Sequence, residues 1–401
     1  MTPTVAIIGA GPAGLALARL LECRGISYVV YERDASPAAL TGQQQRAGGT
    51  LDIHASTGQR AIVEGGLAQE FEKYARYDAS TFKLWSGVGP RAVQYIDLER
   101  GSEFPEIDRG DLRKIYLDAV PADKIRWGHG LKRVTKDAEG APVLEFADGT
   151  TASGFRLIVG ADGAWSKVRS LLSSATPQYC GIHIIESRIT PDNPVYDKVQ
   201  ARVRKGMLMA GGPNKTVTFQ NLGDGSYRVY MGVRVPVDFA TDGKVDFSDT
   251  EAMRVMCLSS PGGFFGDWAE ELRDYIRHST DFRPWHLYHI PPASIAWDAV
   301  PGVTLIGDAA HLGPPSGEGA NFAMTDSLYL AEKMAEHGGF DSSDEARDRA
   351  VREYEVEMFA RGAGLVQRGL DMLAMFYTED SPRPLVDFFR KKGAPISEQE
   401  V

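Results

Sequence analysis

The sequence predicts an α/β protein with a three-layer parallel-sheet domain, an antiparallel-sheet insert and a helical C-terminal segment. Three observations predict it. Short apolar runs at 4–8, 157–159 and 303–306 each end at a glycine and pass into a turn rich in Gly and Asp, as buried parallel strands do. Apolar and polar residues alternate on both sides of Gly223-Asp224-Gly225. Helical spacing returns after about residue 341, where no strand pattern competes with it.

The first run leads into a helix pattern, with Leu15, Ala18, Leu21 and Glu22 at helical spacing and Leu17 and Leu20 widening the apolar face. Tyr28 to Tyr31 reads as a second strand. The whole is a β-α-β unit of about 30 residues, the length of one crossover. Its turn is Gly9-Ala10-Gly11-Pro12-Ala13-Gly14, and Glu32 ends the second strand. Gly9 permits a tight turn, Gly11 lets backbone approach a pyrophosphate, and Gly14 lets helix pack on strand. The helix N-terminus offers N–H groups and partial positive charge to phosphates. Glu32 can accept from ribose hydroxyls. This is a Rossmann-like dinucleotide site, though the motif does not separate one dinucleotide from another.

The second run is followed by Gly160 to Arg169, with Asp162 either binding a ligand or capping a βα turn. The third is followed by Gly307-Asp308-Ala309-Ala310-His311 and then Pro314-Pro315-Ser316-Gly317-Glu318-Gly319-Ala320-Asn321. Asp308, at a strand end, can accept from polyol hydroxyls. The Gly317–Gly319 loop opens a helix with Met324, Leu328, Ala331 and Met334 on its apolar side, and its free N–H groups suit an electron-rich ring edge. In the insert, Thr216–Leu222 and Tyr227–Val233 form an antiparallel hairpin, with Val217 and Phe219 on one face and Val229, Met231 and Val233 on another. Ser343 caps a helix carrying Val351, Tyr354 and Met358, and Gly362, Gly364 and Gly369 weaken its continuation.

Composition excludes several alternatives. With 401 residues the chain suits two domains of ordinary size. Hydrophobic residues at 43% allow a large core. A net charge of −10 argues against nucleic acid as the main partner. Cys23, Cys180 and Cys257 are odd in number and widely spaced, so neither a metal site nor a disulfide framework is expected and a reducing cytoplasm fits. No apolar run approaches the roughly 18 residues of a membrane span.

The three glycine-and-acid motifs, in this order, resemble those of the group A flavoprotein monooxygenases of the para-hydroxybenzoate hydroxylase type. Within that group the chain resembles the tetracycline-inactivating flavin monooxygenases, the TetX type. The shared runs are Tyr31-Glu32-Arg33-Asp34, Gly48-Gly49-Thr50-Leu51-Asp52-Ile53-His54, Gly58-Gln59, Asp111-Leu112-Arg113, Ser166-Lys167-Val168-Arg169 and Gly307 to Leu312. The resemblance implies FAD as cofactor, NADPH or NADH as reductant and O₂ as co-substrate. Hydroxylation would proceed through a flavin C4a-hydroperoxide.

It further implies an FAD-binding Rossmann-like domain made of 1–75, 100–175 and 291–340. An antiparallel-sheet substrate domain would comprise 76–99 and 176–290, and 341–401 would be a C-terminal helical segment. Gly9, Gly11 and Gly14 would face the pyrophosphate, and Glu32 and Arg33 the adenosine end. Arg109 and Arg113 would meet the ribityl and phosphate region, unless Arg109 only pairs with Asp111. Asp308 would meet the ribityl chain. Asp52, Pro315, Gly317 and Gly319 would lie by the ring, and Gln45 or Arg46 would contact the nicotinamide nucleotide. His311 and His54 read better as hydrogen-bonded structural residues than as bases.

The substrate side departs from the TetX pattern. Glu186 stands where a Gln helps hold tetracycline, Tyr230 stands for a His, and Phe219 retains the pocket Phe. The expected substrate is therefore a polycyclic phenolic or enolic, polyketide-like molecule, with tetracycline itself in doubt. Glu186 should disfavour a carboxylate ligand. The enzyme is expected to act as a monomer. The competing readings are a flavin oxidase or reductase of the same fold and a non-catalytic flavin or ligand binder. A halogenase lacks its Trp-x-Trp-x-Ile-Pro signature here.

Overall fold

The computed structural model describes residues 4–37, 49–79, 81–99, 101, 103–240, 243, 245–259, 262–338 and 343–401. The chain divides into two compact units. One comprises Met1–Ala75, Ile107–Gln178 and Tyr288–Gly369, and the other Arg76–Glu106, Tyr179–Leu287 and Leu370–Val401.

The first unit is centred on a five-stranded parallel sheet. Val303–Leu305, Leu157–Gly160, Val5–Ile8, Tyr28–Tyr31 and Ile125–Arg126 lie side by side in that order. All four residues of Val5–Ile8 are buried, as are those of Leu157–Gly160. That is why these strands read as unbroken apolar runs, since both faces are covered. The helix Pro12–Cys23 packs on the helix Gly319–Glu336, burying Leu15, Leu17 and Leu20. A three-stranded antiparallel sheet of Leu131–Lys136, Pro142–Phe146 and Thr151–Ala152 completes the unit, and the Tyr31 ring stacks on Phe146 with centroids 4.6 Å apart.

The second unit is built on an eight-stranded sheet. Its order is Thr280–His289, Gln178–Ile189, Tyr227–Arg234, Lys215–Asn221, Gly206–Gly212, Thr81–Ser86, Val93–Glu99 and Gln399–Glu400. Ile185, Val217, Phe219, Val229, Met231 and Val233 share one core with Val199, Met253, Leu272 and Tyr275 from the helices over that face. The expected split of the hairpin is therefore corrected. Val217 pairs with Met231 and Phe219 with Val229, and directly paired residues point to the same side.

The glycines expected to weaken the late helix do not break it. Asp344–Phe376 is one helix of 33 residues. A Cβ at Gly362 would come within 2.9 Å of the His311 Cβ, and one at Gly369 within 3.0 Å of the Pro314 carbonyl. These glycines permit close packing, which outweighs their low helix propensity. The helix also does not form a segment apart from 341 onward: its residues up to Gly369 belong to the first unit and the rest to the second.

Candidate functional site

Gly9 sits at φ +108°, and a Cβ there would lie 2.4 Å from the Ala161 carbonyl oxygen. At Gly14 a Cβ would come to 2.0 Å from the Gly9 carbonyl oxygen. Only glycine lets the strand turn and the helix pack back this closely. Gly11 caps the helix Pro12–Cys23, and a Cβ there would meet no described atom within 4 Å. A helix N-terminus of this kind, entered through a glycine with open space beside it, is the arrangement that takes a phosphate.

Glu32 is buried at 6% exposure. Its Oε2 accepts from Ala10 N–H at 2.6 Å and its Oε1 from Asp34 N–H at 3.0 Å. A carboxylate offers about four lone-pair sites, so it retains acceptor capacity. Arg113 donates from Nε to the Ala10 carbonyl at 2.8 Å and from Nη1 to Asp34 at 3.1 Å, with Nη2 3.7 Å from Glu32. It braces the glycine loop against the acidic strand end. Arg33 and Arg109 are exposed, and Arg109 N–H donates to the Gly49 carbonyl at 3.2 Å.

The strand Val303–Leu305 delivers a second turn. Gly307 adopts φ +61° and the Asp308 side chain that follows is exposed. Arg169 is buried and donates to three carbonyls, Asp308 at 2.9 Å, Ala309 at 2.8 Å and Ala164 at 2.9 Å. It thereby joins the second motif to the third. Asp162 takes the capping role, accepting from Ser166 Oγ at 2.5 Å and Lys167 N–H at 2.7 Å. Burial raises its pKa. His311 is buried with Nε2 2.5 Å from Asp326 Oδ2. Burial opposes its charge, but the Asp326 carboxylate outweighs that and lifts its pKa above the usual value. The sequence expectation of a hydrogen-bonded His311 finds its partner in Asp326.

The strand Thr50–Asp52 and the Gly317 turn meet through Asn321, which is fully buried. Its Nδ2 donates to the Asp52 carbonyl at 2.7 Å, and its Oδ1 accepts from His54 N–H at 2.8 Å. Gly317 is exposed at φ +80°, and a Cβ there would be 3.9 Å from Asp52 Oδ2. Pro315 is exposed and Gly319 opens the helix Gly319–Glu336, with no described atom within 4 Å of a Cβ at Gly319. Gln45 and Arg46 lie outside the described residues.

In the second unit, strand register defines two rows on the sheet face opposite Phe219. One reads Glu186, Tyr230, Thr218, Met209, Leu84, and the other Arg188, Arg228, Gln220, Met207, Phe82. The next row, through Gly232 and Thr216, is covered: the Tyr377 hydroxyl lies 3.0 Å from Thr216 Oγ1 and would be 1.8 Å from a Cβ at Gly232. Glu186, Tyr230, Thr218 and Gln220 are partly exposed. Glu186 forms an ion pair with the buried Arg228, and Tyr230 packs edge-on to Trp285 with centroids 6.2 Å apart.

Two expectations fail here. Phe219 is 0% exposed and packs edge-on to Tyr275. It is a core residue on the wrong face to share a pocket with Glu186 and Tyr230. Glu186 is not an uncompensated negative charge either, because Arg228 neutralises it. Arg228, Thr218, Gln220, Asn321 and Asp326 were missed. Arg228 was findable, since it stands two residues from Tyr230 on the same strand. Asn321 and Asp326 carry no local signal, because their partners are distant in sequence.

The fold and the first unit's geometry define a dinucleotide-binding α/β protein whose two glycine-lined helix N-termini and two strand-end acids suit a flavin dinucleotide. The chain belongs to the FAD binding domain family, whose model matches residues 2–231 and 299–369. It is an FAD-dependent monooxygenase. Among relatives, the monooxygenase penA of Penicillium thymicola is 28% identical, over 94% of this chain and 96% of its own length. The 3-amino-4-hydroxybenzoate 2-monooxygenase of Streptomyces cremeus is 28% identical, over 94% and 89%.

Two solved structures share the fold. Klebsiella pneumoniae HpxO complexed with FAD and uric acid has a TM-score of 0.75 at 22% identity, covering 97% of this chain and 92% of its own. The tetracycline destructase Tet(51) has a TM-score of 0.67 at 18% identity, covering 98% and 95%. No helix among the described residues is long and apolar enough to cross a membrane. The described residues also hold no cluster of His, Cys, Asp and Glu able to bind a metal.

Proposed function

We propose that this monooxygenase uses NADPH or NADH and O₂ to hydroxylate an oxygenated aromatic or enolic small molecule of polycyclic phenol type. The observation that carries the substrate reading is the partly exposed stretch of those two rows at Glu186, Tyr230, Thr218 and Gln220, beyond the end that Leu385, Val386 and Phe389 cover. There Tyr230 offers a ring face, Thr218 and Gln220 offer neutral polar groups, and the Glu186–Arg228 pair offers a donor and an acceptor with no net charge. Planar rings stack well on aromatic and thioether side chains, and a few placed polar groups set orientation. Relatives named for an aminohydroxybenzoate and a fold neighbour named for tetracyclines bracket this class in size.

In this reading Gly9, Gly11, Gly14 and Glu32 hold the dinucleotide end of FAD, braced by Arg113, with Arg33 alongside. Asp308 and Arg109 serve the ribityl side. Asp52, Pro315, Gly317 and Gly319 surround the ring. When bound, FAD supplies electron transfer from the nicotinamide and activation of O₂. The protein binds, orients and excludes water, and needs no nucleophile of its own. Gln45 and Arg46 are the proposed nicotinamide contacts.

The test is NADPH- and NADH-driven O₂ uptake with mass analysis of products from a tricyclic phenol, tetracycline and para-hydroxybenzoate. Coupled addition of one oxygen to the tricyclic phenol is the expected result. Coupled turnover of the benzoate alone defeats the large-ring reading. O₂ uptake with peroxide and no oxygenated product from any of them overturns the polycyclic-phenol substrate reading.

A further inference from the structure

We propose that Asp326 is the positioning residue for the cofactor acid Asp308, acting through the backbone of Gly307. This rests on the assignment of Asp308 to FAD. Asp326 lies in the middle of the helix Gly319–Glu336 and is 0% exposed. Its Oδ2 accepts the Gly307 N–H at 2.9 Å and faces His311 Nε2 at 2.5 Å. Its Oδ1 accepts from Arg361 Nη2 at 2.7 Å. Arg361 comes from the helix Asp344–Phe376 and also lies over the Tyr329 ring, 4.8 Å from its centroid.

One carboxylate therefore ties together the entrance of the Asp308 turn, its exit at His311 and two long helices. The turn has little freedom to compensate. Gly307 needs its positive φ, and even a Cβ there would approach the Ala323 and Ala13 Cβ atoms at 3.0 and 3.2 Å. Arg169 holds the carbonyls of Asp308 and Ala309 from another direction. Between these anchors the Asp308 carboxylate is left exposed. A buried carboxylate with three donors is an expensive feature to keep for packing alone, because its removal leaves the buried His311 ring and the partly buried Arg361 guanidinium without their partner. Its one backbone contact is with the residue that aims Asp308.

The experiment is a double-mutant cycle read as FAD affinity, by fluorescence titration of deflavinated enzyme with FAD. Asp308→Ala tests the cofactor assignment. Asp326→Asn tests the positioning role, since it keeps size and can keep one hydrogen bond but removes the charge. Asp326→Asn should weaken FAD binding by about 10- to 100-fold, as loss of a charged hydrogen-bond network does. In the Asp308→Ala background the same change should add less than about threefold, because residues acting as one unit are non-additive.

If Asp326→Asn does not fold, His311→Gln takes its place in the cycle with the same expected non-additivity. Losses that multiply in the double variant, or an unchanged affinity in Asp326→Asn, overturn the positioning role while leaving Asp308 in the site. Unchanged affinity in Asp308→Ala overturns the assignment of Asp308 and the proposal with it.

Discussion

In the parallel-sheet unit, Gly9, Gly14 and Gly307 shape the candidate cofactor site by what they lack. In the antiparallel unit, Glu186, Tyr230 and Thr218 shape the proposed substrate surface by the side of the strand on which they stand. The first kind of geometry is marked by the residue type itself. A Cβ at Gly14 would strike the Gly9 carbonyl within the same turn, and those at Gly9 and Gly307 would strike Ala161 and Ala323. The second kind is relational, because a one-residue slip sends every side chain to the other face. The consequence is visible in Phe219 and Tyr230. Both sit on one hairpin and both are aromatic, yet one is core and the other is partly exposed beside the Glu186–Arg228 pair.

The largest expected effect breaks or upholds that distinction. Phe219→Ala should lower unfolding stability by about 3–5 kcal/mol, the cost of an emptied aromatic site in a core. Urea denaturation measures it. Substrate KM in the folded fraction should stay within about twofold if Phe219 touches only core. A variant of normal stability with a large KM change would return Phe219 to the pocket.

A second effect belongs to the same core face. His183 is 0% exposed, with its ring 4.6 Å from that of His286 and also near Phe239 and Phe247. Burial, then the neighbouring His286, lowers its pKa from 6.5 to about 4. A histidine held neutral contributes stability that is present above its unfolded pKa and is lost as pH falls toward its folded one. Stability should therefore drop between about pH 6.5 and 4, by at most about 3 kcal/mol. Thermal melts across that window should show the slope in the parent protein and a shallower one in His183→Leu. An identical slope in both would assign the loss to other groups.

In the parallel-sheet unit the expected effect falls on ligand retention. Asp308→Ala should raise the FAD dissociation constant by about 10- to 150-fold, corresponding to about 1.5–3 kcal/mol. The melting temperature without cofactor should barely move, since the carboxylate is exposed. The smallest effect is that of Tyr230→Phe. It should leave stability within about 0.5 kcal/mol and raise KM for a phenolic substrate by about two- to tenfold, through one lost neutral hydrogen bond. If its effect on stability exceeds that on KM, the partly exposed stretch around Tyr230 is not where substrate binds.

Much of the candidate cofactor site's backbone was legible in the sequence because its signals are short. Gly9 to Gly14, Glu32 and the Gly307-Asp308 turn each follow directly on an apolar strand, and strand-end turns are where parallel sheets present ligands. Legibility stopped where partners are far apart. Asn321 bonds Asp52 across 269 residues and Arg169 bonds Asp308 across 139, and nothing in either neighbourhood marks the contact. Gly362 and Gly369 misled for the same reason. Their local effect is to weaken a helix, while their packing against His311 and Pro314 is long-range.

By itself, then, the sequence determined the parallel strands, the glycine turns and the acids at their ends, since backbone sterics and burial on both faces act over a handful of residues. Only the tertiary structure decided which face of the eight-stranded sheet carries Tyr230 and Glu186, and that Arg228 cancels the charge of Glu186. It also decided that Asp326 stands behind the Asp308 turn. Register and burial of charge depend on every strand and helix that packs alongside, so no single stretch of chain contains them.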